Sequence, residues 1–240
     1  MDRQKEFYEM YWNGREKVGY HHGKEGYTLP HRLDFALNLI LEEITQADHD
    51  MKILDIGCGD GAIGMLLKQV DFPHHLHVHG VDISERALEL ASAYYTETRN
   101  VNVDNIDLGT IFQGEKFNII VCMEVLEHIF HPKRLLRGIH GLLTTGGFAI
   151  LSIPNEALWI HRLKLLRGRL PDSHLICPGE HIQRFTLATF SSLLSQCGFK
   201  IASLHPDLAI PRGLKIFRRI LKRFPSLFAS QIVVKAVPVV

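Results

Sequence analysis

Short runs rich in Ile and Val recur along this 240-residue chain, and between them lie stretches whose apolar residues return every three or four positions. The runs predict buried strands and the stretches predict covering helices, which is the alternation of a mostly parallel sheet. Strands are expected near Lys52–Ile56, His77–Asp82, Asn102–Ile106, Phe117–Met123, Phe148–Ile153, Lys200–Leu204 and Gln231–Ala236. Helices are expected notably over Arg32–Glu43, Ala62–Lys68, Glu85–Thr96, Pro132–Leu143 and Leu187–Gln196. The class is α/β. Two segments stand outside the alternation: Met1–Pro30, rich in Tyr and His, and Asn155–Glu180. Both are expected to cover the carboxyl edge of the sheet, where open α/β sheets bind ligands. One domain over 1–240 is therefore expected, with 1–30 as an N-terminal cover and 155–180 as an insertion over the site.

Composition narrows the class without changing it. Hydrophobic residues make up 46%, enough for a full core at this length. The charged start "MDRQKEFYEMYWNGREK" lacks an apolar core of signal-peptide length, and nowhere do eighteen uncharged apolar residues run together. Cys58, Cys122, Cys177 and Cys197 have no C-x-x-C spacing, which indicates neither a zinc knuckle nor a disulfide framework. A reducing cytoplasm is the expected home. Net charge is +1, but residues 1–160 hold 14 Lys+Arg against 23 Asp+Glu, whereas 161–240 hold 13 against 3. The basic end could face an anionic substrate or membrane. No nucleic-acid reader motif accompanies that charge, so sequence-specific nucleic-acid binding is not expected.

Candidate chemistry begins at "KILDIGCGDGAIG". Gly57, Gly59 and Gly61 follow a strand and precede a helix, so they can form a tight turn and admit a ligand close to the backbone. The Gly-Lys-Ser/Thr of a phosphate loop is absent, and Gly64 meets the third position of G-x-G-x-x-G only loosely. Asp82, in "GVDIS" at the end of the next predicted strand, is placed to accept both hydroxyls of a ribose. Asp107, in "NIDL", ends the strand predicted after that. Two successive strand-end acids after a glycine turn suit a nucleoside, with ribose on one and the adenine amine near the other. A nicotinamide-dependent oxidoreductase fits the short glycine spacing and Asp107 poorly.

The ordered set "ILDIGCGDG", "GVDIS", "NIDL", "FNIIVCMEVLEHI", "LLTTGGFAILSIPN" and "CGFKIASL" resembles the motifs of class I S-adenosylmethionine-dependent methyltransferases, over roughly Arg32 to Val234. The resemblance implies a Rossmann-like fold with a seven-stranded, mostly parallel sheet flanked by helices, its last strand antiparallel. "CMEVLEHI" and "EHIQRFTLATFSSLL" are similar to ubiquinone-biosynthesis O-methyltransferases, and "SIPNEALWIHRLKLLRGRLP" is similar to methyltransferase-like proteins of methionine biosynthesis. These two similarities disagree about substrate. The implied donor is S-adenosylmethionine. Gly57 and Gly59 would lie under its methionine part, Asp82 would hold the ribose, and Arg32 and Met123 would touch it. Asp55, Cys58, Ile83, Asp107, Leu108 and Cys122 are further implied neighbours of the donor. One departure is visible, because the usual Phe-Asp opening the fourth strand is Phe117-Asn118 here. A local hydrogen bond is expected to change, rather than donor binding.

In "CMEVLEHI", Glu124, Glu127 and His128 stand at i, i+3 and i+4, so a helix beginning there would point all three to one side. With His181 of "GEHIQRF" as a fourth ligand they could hold Mg²⁺ or Mn²⁺. The pattern resembles that of metal-dependent O-methyltransferases of small RNAs and of quinone precursors. The bland reading has the Glu capping a helix and the His packing beneath the donor. His74, His75, His77 and His79 alternate on a predicted strand, more simply displayed than ligating. Methyl transfer from a sulfonium needs alignment and loss of a proton, supplied by a metal or by a base such as His128 or His181, with Glu124 beside them. O-methylation of a small-molecule hydroxyl (phenol, quinol, sugar or lipid-linked) is the expected activity. N- or C-methylation, or a non-catalytic donor-binding partner protein, are the alternatives.

Overall fold

The computed structural model describes residues 3–16, 31–171, 181–209 and 216–239. In chain order the elements are helices α1 (Arg3–Glu16) and α2 (His31–Gln46), strand β1 (Met51–Ile56), α3 (Ala62–Leu67), β2 (Leu76–Asp82), α4 (Glu85–Ala91), β3 (Glu97–Asn100), α5 (Leu108–Ile111) and β4 (Phe117–Cys122). A 3₁₀ turn over Leu126–His128 follows, then α6 (Pro132–Leu142), β5 (Leu143–Pro154), α7 (Trp159–Leu166), α8 (Leu187–Gln196), β6 (Phe199–Leu208), α9 (Arg218–Leu221), α10 (Pro225–Phe228) and β7 (Ala229–Pro238). The strands form one seven-stranded sheet in the order β3-β2-β1-β4-β5-β7-β6. β1 pairs parallel with β2, and β2 with β3, whereas β7 runs antiparallel to both β5 and β6. This is the Rossmann-like, mostly parallel sheet with an antiparallel last strand that the motif order implies.

Backbone contacts divide the chain into two compact units: residues 1–121 with 141–147, and residues 122–140 with 148–240. In the first, Ile53, Leu54 and Ile56 of β1 are fully buried, as expected of a strand covered on both faces. Phe112 and Phe117 meet edge to face at 5.2 Å, and His79 packs its ring 5.5 Å from Phe117. Burial accordingly lowers the His79 pKa, against the charges of Glu115 and Glu97. This histidine is a core residue, and the His74–His79 run holds no metal-capable group among the described residues. In the second unit, Phe148, Ile150, Leu151, Phe190, Phe199 and Ile232–Val234 form the core. α8 matches its predicted span because Thr186 and Thr189 close a reciprocal capping box at its start.

The strand predicted over Asn102–Ile106 is not a strand. The third strand is Glu97–Asn100, one step earlier, and Asn102 begins a turn, accepting the Asp104 N–H on its side chain at 3.0 Å. Asp107 therefore ends no strand: it caps α5, its carboxylate accepting the Gly109 N–H at 2.8 Å, and it is exposed. The helix predicted over Glu85–Thr96 stops at Ala91, where Tyr94 N–H folds back onto the Ala91 carbonyl. Asn118 replaces the usual aspartate with a backbone role, its Oδ1 accepting Lys52 N–H at 2.8 Å.

Candidate functional site

The first candidate group is built at the end of β1. Gly57, Gly59 and Gly61 have φ of 72°, 54° and 91°, a left-handed backbone that L side chains adopt only under strain. The turn is pinned to the neighbouring strand, because Gly57 and Cys58 N–H both donate to the Val81 carbonyl, at 2.8 and 3.1 Å. One residue on, the Asp82 carboxylate accepts Gly59 N–H at 3.0 Å and Ser84 N–H at 2.9 Å. Asp82 thus ties the glycine turn to the start of α4, whose Ser84 cap accepts Ala87 N–H at 3.1 Å. Burial pushes the Asp82 carboxyl above its ordinary pKa, against the N–H donors that favour its charge. Ile83 lies beside it, its carbonyl accepting the Asn100 amide at 2.8 Å.

Beneath the turn, Asp55 is wholly enclosed. Its carboxylate accepts the Tyr95 hydroxyl at 2.6 Å, and that same hydroxyl accepts Gly64 N–H at 3.3 Å. Burial pushes the Asp55 pKa up to about 7, although the Tyr95 bond opposes the rise. Burial, with the charges of Asp55 and Asp82, also holds the Cys58 thiol well above its usual range, so it is an inert filler rather than a nucleophile. A Cβ on Gly64 would fall 2.8 Å from the Tyr95 ring, and one on Gly80 3.0 Å from Cys58 Sγ and 3.1 Å from the same ring. Gly64 and Gly80 are therefore clearances for Tyr95. Gly59 is different: its missing Cβ faces the indole of Trp12, on α1. Arg32 is half-buried in the first turn of α2, and Leu108 is buried in α5. No sequence signal marked Tyr95, Trp12 or Glu9, whereas the Ser84 cap was readable from Ser preceding Glu-Arg-Ala.

The second group lies in the other unit. Cys122, fully buried, ends β4, and Met123 is half-buried after it. The helix that would align Glu124, Glu127 and His128 does not start at Glu124. That residue sits at φ 57°, held by Ser152, whose hydroxyl accepts its N–H at 3.0 Å and donates to its Oε1 at 2.9 Å. Only from Leu126 does a 3₁₀ turn begin. Glu127 is enclosed, and the Glu127 carbonyl accepts Gln183 N–H at 2.9 Å, which draws the irregular backbone of residues 181–183 alongside. His181 thereby stacks edge to face on His128, with ring centres 4.8 Å apart. One ligand atom each from Glu127, His128 and His181 lies within 4.8 Å of the others, and Glu124 is outside that group.

A family model described as a methyltransferase domain matches residues 26–204. The chain belongs to that family, the class I S-adenosylmethionine-dependent methyltransferases. Among curated relatives, this chain is 33% identical over 106 residues to a ubiquinone biosynthesis O-methyltransferase of Coxiella burnetii, covering 43% of this chain and 44% of that one. It is 29% identical over 157 residues to the enzyme of the same name from Bordetella avium, covering 58% and 62%. The chain thus spans about half the length of the curated relatives it matches. Among solved structures, magnesium protoporphyrin IX methyltransferase from Synechocystis PCC 6803 with bound SAH aligns at a TM-score of 0.63 and 18% identity, covering 98% of this chain and 99% of that one. A methyltransferase from Mesorhizobium loti aligns at 0.58 and 18%, covering 85% and 99%. At those identities the two structures speak for the fold of this chain and not for its substrate.

Proposed function

We propose that the protein moves the methyl group of S-adenosylmethionine to a hydroxyl of a small-molecule acceptor of the phenol or quinol kind. The donor would lie on the glycine turn with its ribose on Asp82. Family membership and the turn's left-handed glycines support the donor. The observation that carries the acceptor reading is the meeting of His128, His181 and Glu127. A hydroxyl must shed its proton as the methyl arrives, and two imidazoles beside a carboxylate are suited to take it.

The same three residues would hold a divalent ion. Two imidazoles and one carboxylate suit a borderline cation such as Mn²⁺ better than Mg²⁺, which prefers oxygen. Ligands at about 2.2 Å from one ion stand at most about 4.4 Å apart, so the group would draw in slightly on binding. A bound ion supplies Lewis acidity that lowers the pKa of a hydroxyl. Glu124 would serve by its placement on Ser152 rather than as a ligand. We also propose that the second unit rests on an anionic membrane surface through α7 and α9.

The test is transfer of labelled methyl from S-adenosylmethionine to a panel of phenols and quinols. His181→Ala and Glu127→Ala are expected to lower turnover by about 10²-fold or more while calorimetry finds donor binding unchanged. A chelator is expected to do the same. Label appearing on nitrogen or carbon would overturn the hydroxyl reading. Full turnover after chelation would remove the ion and leave the histidines as base.

A further inference from the structure

Helix α1 lies outside the sheet, yet one of its side chains reaches the turn that would take the donor and another reaches the start of α4 beside it. The Cβ that Gly59 lacks would fall 2.7 Å from Cζ2 and 2.8 Å from Cη2 of Trp12, so the indole rests directly on the Gly59 backbone. One helical turn earlier, Glu9 accepts the Ser84 hydroxyl at 2.9 Å and the N–H groups of Glu85 and Arg86 at 2.7 and 3.3 Å. Burial works against the Glu9 charge, but these donors and the Lys5 ammonium hold its pKa below the ordinary value. Lys5 adds an ion pair to Glu85 at 2.6 Å. Ser84 N–H is at the same time bonded to Asp82. Glu9 and Asp82 therefore grip one helix start from two sides, and Trp12 touches the glycine whose N–H completes the Asp82 cradle.

We infer that Trp12 is a donor-contacting residue, and that α1 is a cap which Glu9 locks onto α4 and which must lift for the donor to exchange. The inference rests on reading the glycine turn and Asp82 as the donor site. Gly59 bonds Asp82 through its N–H and meets the indole on the side where a Cβ would stand, which sets Trp12 beside the place of a ligand held on Asp82. Burying an aromatic anchor against the ligand slows its escape, as aromatic hot spots do at interfaces. The Glu9 contact supplies the hold, since a charged acceptor facing three donors bonds more strongly than a neutral one.

The sequence contains two tryptophans, Trp12 and Trp159. In Trp159→Phe protein, emission therefore reports on Trp12 alone. Titration with S-adenosylhomocysteine, the demethylated donor, is expected to shift or quench that emission at the concentration where calorimetry registers binding. Stopped-flow displacement is expected to show dissociation at least about tenfold faster in Trp12→Ala, and faster by a smaller factor in Glu9→Gln. Trp12→Phe, which keeps an aromatic ring, is expected to restore most of the slow rate. Unchanged emission on calorimetrically confirmed binding overturns the contact. Equal dissociation rates in all variants overturn the cap. Should calorimetry find no binding to wild-type protein, the donor reading itself falls and takes this inference with it.

Discussion

Asp55 is the penultimate residue of β1, two before Gly57, and its surroundings determine when it can carry charge. It is fully enclosed, and the rise of its pKa to about 7 comes first from burial, with the Asp82 charge adding to it and the Tyr95 hydroxyl opposing it. In the unfolded chain the carboxyl ionises near the ordinary aspartate value of 3.8, so between there and about pH 7 the folded state keeps a proton that the unfolded state has lost. The folded state then binds more protons, and stability contributed by this group falls as pH rises through that window, flattening above it. Asp55→Asn removes the titration while leaving an oxygen for Tyr95. Urea unfolding at pH 5 and pH 8 is expected to show the wild type losing stability relative to Asp55→Asn, by on the order of a few kcal/mol. A wild-type-minus-variant difference that stays constant between the two pH values would mean that Asp55 holds no extra proton.

At the scale of elements, glycines separate into those that clear space and those that merely occupy it. Gly64 in α3 sits where a Cβ would lie 2.8 Å from the Tyr95 ring and 2.9 Å from the Tyr94 carbonyl, so helix and loop approach because it has no side chain. Gly64→Ala is expected to cost about 1–3 kcal/mol in chemical denaturation, the usual penalty of overpacking. Gly141 lies in α6 with nothing within 4 Å of its missing Cβ. Gly141→Ala is expected to have the opposite sign, a gain of about 0.5–1 kcal/mol from helix propensity. Equal effects from the two substitutions would contradict the assignment of Gly64 to Tyr95.

Elements were legible in the sequence where burial is two-sided and dictates an apolar run, as in β1, β4 and β7. β3 escaped because its four residues, Glu97 to Asn100, lie at the sheet edge, where none is buried and charge is favoured. Val101 and Val103 imitate strand alternation, but the Asn102 side chain caps a turn between and after them. The same limit applies to the second group. That Glu124, Glu127, His128 and His181 form a pattern was visible, yet the left-handed Glu124 and the Gln183 to Glu127 bond are tertiary facts without a local signal.

For the molecule as a whole, charge is partitioned along the chain, and the basic end meets exposed apolar side chains within the second unit. Leu165, Leu166 and Leu170 at and beyond the end of α7 are 54%, 84% and 57% exposed, and Ile216, Phe217, Ile220 and Phe224 around α9 are 86%, 48%, 56% and 54%. Among them stand Lys164, Arg167, Arg169, Arg218, Arg219, Lys222 and Arg223, with no acid in either stretch. The α7 end of this surface is joined to the end of β6 and to α10: Trp159 Nε1 donates to the Ala209 carbonyl at 3.4 Å, and Arg162 Nη2 donates to that of Ser226 at 3.5 Å. No helix among the described residues is long and apolar enough to cross a membrane. Each cation near an anionic surface is worth about 1 kcal/mol, and each large apolar side chain that enters the headgroups adds about 1.5–3 kcal/mol. Charge brings the surface in and is screened by salt, whereas insertion is not. Vesicles containing phosphatidylglycerol are therefore expected to co-sediment the protein at low salt, with partial release in high salt. Leu166→Ser with Ile216→Ser is expected to convert partial release into complete release. Failure to co-sediment at low salt would end the membrane proposal, and binding untouched by the double substitution would reduce it to charge alone.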